Sequence, residues 1–398
     1  MNILYLCHRI PYPPNKGDKI RSFHHIQHLA KRHKIYLATI LEKPSNNQYV
    51  QHLKSLCTEV FTVHSHQRWH LLKGLLFSTK PLTVCHFYHQ HLQTYIDNVL
   101  QDKNIDVIIC FCSSMAEYVF QAKFFIRKST IRPKLIMDFV DLDSAKWQQY
   151  AEMSSFPKRP IFHLENDRLF NYELQVLHAF DRCFFASQRE VDILKNENID
   201  TDGIEVVENG IDFYFFTANQ RQQNRHPVLL FTGAMDYYAN VDAVRWFCKD
   251  ILPLIRSEFP TVELKIVGMH PVRAIRKLAK LPSVEVTGYV KDIRPYYHRA
   301  DVFVAPMRIA RGVQNKILEA MATGNAVVAT NTASAGINCQ DNTNIMIAES
   351  ADTFAMKVIS LLKNKEKRMA MAREAIKNIR RCYVWEDKLQ RLDELIQI

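Results

Sequence analysis

Several things are missing from this sequence of 398 residues. Its nine cysteines never form a C-x-x-C pair, which excludes a cysteine zinc site and a dense disulfide framework and leaves structural thiols in a reducing compartment. No stretch approaches the roughly 18 uncharged apolar residues of a membrane span. The start, MNILYLCHRIPYPP, is interrupted by charge and proline too soon for a secretion signal, so the expected location is the cytoplasm. Neither G-x-G-x-x-G nor G-x-x-x-x-G-K-[ST] occurs, and PNKGDKIR holds a single glycine, which argues against a Rossmann dinucleotide site and a P-loop. Repeats and low-complexity tracts are absent too. The histidine-rich runs HHIQH and HFYHQH lack converging acids or cysteines and read as surface and core residues, so no metal is expected.

What is present describes a soluble globular chain. Hydrophobic residues make up 47% and charged residues 23%, and the length suits two domains better than one. A formal charge of +11 favours an anionic partner, and nucleic acid, lipid head groups and phosphorylated small molecules all satisfy it. Short β-rich runs alternate with amphipathic helical patterns along the whole chain. NILYLC, KIYLATI, TEVFTV, IDVIICFC, KLIMDFV, RCFFAS and IEVVENG are the strands of the first half, and PVLLFTG, VELKIVG, VEVTGY, DVFVAPM and NAVVATN those of the second. Such alternation predicts an α/β fold of two doubly wound, Rossmann-like domains, each a parallel sheet covered by helices. The expected boundaries are 1–212 for the first domain, 213–226 for a polar linker, 227–381 for the second domain and 382–398 for a closing helix. That helix spaces Trp385, Leu389, Leu392 and Leu395 on one face, and it is expected to pack back on the first domain. Doubly wound domains bind ligands at the carboxyl ends of their strands, which points to a cleft between the two.

The strongest constellation is RIARGVQNKILEAMATG, Arg308 to Gly324. It reads as a loop after a strand, a turn at Gly312 and a helix ended by Gly324. Free amides at Val313, Gln314 and Asn315 and the helix dipole make an anion site suited to a diphosphate, with Arg308, Arg311 and Lys316 around it. Glu319 is four residues beyond Asn315 on the same helix face, about 5 to 6 Å away, which suits a ribose beside the diphosphate. The alternative is a solvated helix acid and a plain basic surface.

In the first domain PPNKGDKIR joins the first strand to the first helix. There Gly17 lets backbone approach a phosphate, with Lys16 and Arg21 adding charge, or else the segment is a turn capped by Asp18. DFVDLDSAKWQQY places Asp138, Asp141 and Asp143 at a strand end. Asp141 is the expected catalytic acid that orients an acceptor hydroxyl, with Asp143 and Trp147 contacting the acceptor and Tyr150 a further stacking face. Read as a D-x-D metal pair, Asp141 and Asp143 would fit a different architecture. The run RWHLLKGLLFSTKP, Arg68 to Pro81, mixes apolar and basic residues as a helix on an anionic membrane does, and equally as a covered core helix does.

The run VEVTGYVKDIRPYYHRADVFVAPMRIARGVQNKILEAMATGNAVVAT, with VVENGID, LLFTGAMDYYANVDAVRWF and LKIVGMHP before it, resembles the GT-B glycosyltransferases of family 4 (group 1). Within them it is similar to the branch associated with PEP-CTERM/exosortase exopolysaccharide systems. The resemblance spans nearly the whole chain. It implies retaining transfer of a sugar from a nucleotide diphosphate donor to a saccharide or lipid-linked acceptor; no metal and no nucleic acid are expected, and the expected location is the cytoplasm or the inner face of its membrane. By the same likeness Glu319 binds the donor ribose. The amides after Gly312 meet the diphosphate and sugar, Gly233 belongs to the donor site, and Gly288 to Asp292, with Tyr289 and Val290, lie along the base. Two departures stand out. The family carries a glutamate where this chain has Arg311, which pairs either with the diphosphate or with a carboxylate on the sugar and is expected to act in catalysis. The customary basic residue after the first strand of the second domain is missing, GAMDYYAN offering Asp236 and Asn240 instead. Rival readings are a nucleotide-sugar epimerase of the same architecture and an inactive sugar-binding subunit.

Overall fold

The computed structural model describes residues 1–15, 17–42, 47–65, 79–126, 132–152, 154–218, 224–310 and 312–397. The chain divides into two compact units, Met1–Glu208 with Leu389–Ile398, and Asn209–Lys388.

The first unit is built on seven strands: β1 Asn2–Cys7, β2 Lys34–Leu41, β3 Glu59–His64, β4 Val107–Phe111, β5 Lys134–Val140, β6 Arg182–Phe185 and β7 Ile204–Val206. All pair in parallel in the order β3-β2-β1-β4-β5-β6-β7. Central strands are enclosed on both faces, so Ile3 to Leu6 and Ile108 to Phe111 are inaccessible to water, as unbroken β-branched and aromatic runs require. Its helices cover both faces, and rings such as Phe139 and Phe185 stack at 4.8 Å in the core.

The second unit repeats the plan with β8 Val228–Thr232, β9 Glu263–Val267, β10 Val284–Gly288, β11 Val302–Ala305, β12 Ala326–Ala329 and β13 Met346–Ile347. The order is β10-β9-β8-β11-β12-β13, again parallel. Each run read as a strand from its residues is one. The two-residue β13 was not foreseen, because so short an edge strand carries no periodicity.

Strand order reverses between β1 and β4 in the first sheet and between β8 and β11 in the second. At such a reversal the loops leaving the two central strands diverge and open a crevice at their carboxyl ends. Asn209–Asp212 group with the second unit, where Ile211 donates its amide to the Tyr383 carbonyl at 2.7 Å. The Trp385–Gln397 helix continues into the first unit, where Asp393 meets His28 at 2.9 Å and Arg391 pairs with Glu205. All nine cysteines are free thiols.

Candidate active site

In the second unit the reversal between β8 and β11 collects the signature residues. The loop leaving β11 turns at Gly312, whose φ of +57° is a left-handed conformation that disfavours a side chain. A methyl on Gly336 would come within 2.5 Å of the Gly312 carbonyl, so two glycines let these segments touch. The helix is Asn315–Ala322, with Gln314 in a non-helical conformation ahead of it. Val313 and Gln314 therefore lie before the helix rather than in its first turn. The Gln314 carbonyl accepts the Ile317 amide at 2.8 Å, and the free first-turn amides are those of Asn315 and Lys316. The Asn315 side chain accepts from Asn209 at 3.2 Å.

Glu319, half-buried, receives the Tyr297 hydroxyl at 2.7 Å, and Tyr297 in turn lies 2.9 Å from the Thr232 hydroxyl at the end of β8. Burial lifts the Glu319 carboxyl above its usual range, opposed by Tyr297 and by Lys316. Lys316 extends its ammonium onto the Phe231 ring, 4.6 Å from the centroid, and donates to Asn240 Oδ1 at 2.5 Å. Burial pushes its pKa down to about 7. Gly233 sits beside this pair, where a methyl would approach Asn240 Nδ2 at 2.6 Å and Lys316 Nζ at 3.1 Å. A side chain there would also strain the backbone, whose φ is +151°.

Arg308, also expected in the anion site, has a partner of its own. Arg308 is committed to Asp242 by two hydrogen bonds, at 3.0 and 2.5 Å, and its guanidinium lies over Trp246. It faces the Tyr238–Trp246 helix with a counter-ion of its own and a side chain that is 46% exposed. Arg311 lies outside the described residues, as does Lys16. Tyr289 follows Gly288 at the end of β10 and is 69% exposed, an open aromatic face, with half-buried Val290 next to it. Nearby Asp292 is held by Arg294, and Arg294 lies 4.2 Å from the Phe215 ring centre, a cluster the sequence reading did not single out.

In the first unit the carboxyl ends of β4 and β5 hold two strained residues, Cys112 at φ +79° and Val140 at φ +66°. A β-branched residue in that region is a true outlier. Asp138 holds both: its carbonyl accepts the Cys112 amide at 2.8 Å and its carboxylate the Val140 amide at 3.0 Å. Arg21, fully buried, clasps Asp138 at 2.7 and 3.2 Å and donates to the Val207 carbonyl at 2.6 Å. Arg21 is thus the core clasp of this turn and no phosphate ligand, since none of its guanidinium reaches solvent. Gly17 is exposed and opens the Gly17–Leu29 helix, and Asp18 behind it pairs with Arg9 at 2.8 Å and lies 3.5 Å from His8.

The strained turn delivers Asp141 to the end of β5. Burial, reinforced by Glu190, pushes its carboxyl up to about 7. Glu190 also accepts the Leu142 amide at 3.0 Å. Asp143 begins the Asp143–Glu152 helix with its carboxylate held by Lys146 at 2.6 Å and Cys112 Sγ at 3.3 Å, so this acid is already occupied by protein groups. Trp147, half-buried, packs against Phe162 and Tyr150, ring centres 5.3 and 5.8 Å away. Among the described residues no group of three or more His, Cys, Asp or Glu side chains is placed to hold a metal. Most of the Arg68–Pro81 run lies outside the described residues, and among those described no helix is long and apolar enough to cross a membrane.

Residues 226–364 match the family described as Glycosyl transferases group 1. A Klebsiella pneumoniae protein of the cps region is 22% identical over 370 residues, 89% of either chain. A phosphatidyl-myo-inositol mannosyltransferase of Propionibacterium freudenreichii is 28% identical over 130 residues, 32% of either chain. Among solved structures, sucrose-phosphate synthase of Thermosynechococcus elongatus superposes with a TM-score of 0.73 at 15% identity, covering 99% of this chain and 98% of the other. Anabaena HepE, solved with UDP and glucose, gives 0.71 at 15% identity over 100% and 99%. The fold is GT-B, and the second unit carries a group 1 glycosyltransferase domain. The chain is a glycosyltransferase.

Proposed function

We propose that this glycosyltransferase moves a sugar, with retention, from a nucleotide diphosphate donor to a saccharide or lipid-linked saccharide in the synthesis of a surface polysaccharide. One observation carries the donor assignment: a single helix face at the β8/β11 reversal presents first-turn amides, a lysine ammonium and, one turn on, a carboxyl fixed by Tyr297. That spacing suits a diphosphate followed by a ribose. HepE, solved with UDP and glucose, supports a nucleotide sugar, and the cps-region relative supports a polysaccharide context, the PEP-CTERM/exosortase branch being its finer form. In the transfer the bond from the sugar's anomeric carbon to the diphosphate oxygen breaks. A bond to the acceptor oxygen forms on the same face, and the acceptor's proton passes to the departing diphosphate. Helix amides and the lysine stabilise the charge that develops there, so the reading requires no metal. It places the enzyme in the cytoplasm.

Glu319→Ala is expected to weaken nucleoside diphosphate binding by roughly 1.5 to 3 kcal/mol, about one to two decades, with the fold retained. Calorimetry against UDP, GDP and ADP checks it, and unchanged affinity removes Glu319 from the site. Turnover is expected to survive chelator. A strict need for magnesium or manganese, lost in Asp141→Asn, would overturn the metal-free reading.

A further inference from the structure

The cation that meets the diphosphate is decided by what each basic side chain already holds. Arg308 is bound to Asp242. The loop after β8 offers Asp236 and Asn240 where a basic residue is customary, and Lys316 reaches into that place from the neighbouring helix to contact Asn240 Oδ1. Its ammonium has a ring face and one amide oxygen as partners, and among the described residues no carboxylate lies within ion-pair distance of it. The charge that acts on it is that of Glu319 on its own helix, and β8 contributes the uncharged Phe231 ring. Glu319 is engaged by Tyr297 and Asp242 by Arg308.

We propose that Lys316 is the counter-ion of the donor's diphosphate in this chain and that it takes up a proton when the diphosphate binds. The proposal rests on the reading of the second unit as the donor site. A half-buried ammonium with no carboxylate in ion-pair contact is costly in the free protein, and burial, opposed by the Glu319 charge, brings Lys316 down to about 7. Near neutral pH part of the population is the neutral amine. An arriving diphosphate supplies the missing negative charge and draws a proton onto Nζ, so affinity falls as pH rises above 7. The unpaired lysine also weakens the unliganded fold, because the unfolded chain binds that proton up to about pH 10.4 and the folded chain does not.

The test is calorimetry at about pH 7.5 with UDP, GDP, ADP and pyrophosphate, each in two buffers of different ionisation enthalpy, with the unliganded melting temperature measured alongside. Wild type is expected to take up protons beyond those the ligand itself exchanges. Lys316→Arg is expected to bind without that uptake, because a guanidinium stays charged. Lys316→Met is expected to lose roughly tenfold or more in affinity while melting higher than wild type. Glu319→Gln keeps the uptake if the proton belongs to Lys316. Uptake by pyrophosphate as well assigns recognition to the phosphates themselves, and uptake by the nucleotides alone assigns it to the diphosphate as the nucleoside positions it. Undiminished uptake in Lys316→Arg, loss of uptake in Glu319→Gln, or a Lys316→Met protein that binds normally or melts lower would overturn the proposal. If Glu319→Ala weakens binding while Lys316→Met does not, the proposal fails and the donor-site reading stands. If wild type binds none of the four ligands, both fail.

Discussion

The two sheets are built on one plan, yet the charges at their carboxyl ends are treated in opposite ways. In the first unit these described cations have carboxylate partners: Arg21 holds Asp138, Arg9 holds Asp18 and Glu42, Lys19 holds Glu42 and Lys146 holds Asp143. In the second unit Arg308 has Asp242, while Lys316 has an amide and a ring, and the Glu319 carboxyl has a phenol. Compensated charges fix a backbone. The first unit uses them to hold Cys112 and Val140 in conformations that an unsupported chain would leave. An uncompensated charge in a half-enclosed place costs stability until a ligand of opposite sign arrives, which is the behaviour of a binding group.

The sharpest way to break this contrast is to cut one pair in each unit. Arg21→Ala leaves the buried Asp138 without its counter-ion and is expected to destabilise the protein by about 3 to 5 kcal/mol, read from urea unfolding. Arg308→Ala removes a partly exposed pair and is expected to cost under about 1 kcal/mol. Equal losses would show that pairing in the first unit does not hold the turn.

A smaller effect is expected from the carboxyl pair that faces the strained turn. Asp141 is held up near 7 by burial and by Glu190, with Lys146 and Arg21 pulling down and Asp143 adding to the rise. Its charged form accumulates as pH rises through that value, so a transfer in which Asp141 orients the acceptor hydroxyl quickens over the same range. Glu190→Gln removes the like charge and is expected to move that limb of the pH–rate profile down by roughly one pH unit, about 1.4 kcal/mol. A profile that keeps its limb while the rate merely drops would make Glu190 a structural prop for the Leu142 amide.

The smallest effect belongs to the support of Glu319. Tyr297→Phe deletes the hydroxyl between Thr232 and Glu319 and is expected to weaken nucleoside diphosphate binding by about 0.5 to 1.5 kcal/mol, less than Glu319→Ala. A loss as large as that of Glu319→Ala would mean that the phenol itself touches the ligand.

The fold was legible in the residues because it depends on local pattern. Apolar β-rich runs separated by amphipathic stretches permit few arrangements other than covered parallel sheets, and the runs from NILYLC to NAVVATN became β1 to β12. The helix that carries Lys316 and Glu319 was legible for the same reason, since two residues three apart share a helix face wherever that helix sits. Its start was misplaced by two residues, because Gln314 takes a non-helical conformation that no capping residue announces.

Sequence alone therefore determined the two sheets, the signature helix and the presence of many cations beside it. Only the tertiary structure decided which cations are already neutralised. Arg21 finds Asp138 across 117 positions, Arg308 finds Asp242 across 66, and Lys316 finds an amide across 76. Tyr297, 22 positions before Glu319, carried no signal in its own run. The physical reason is that a charge's role depends on its counter-ion and its exposure to water, and both are set by chain segments that meet only after folding.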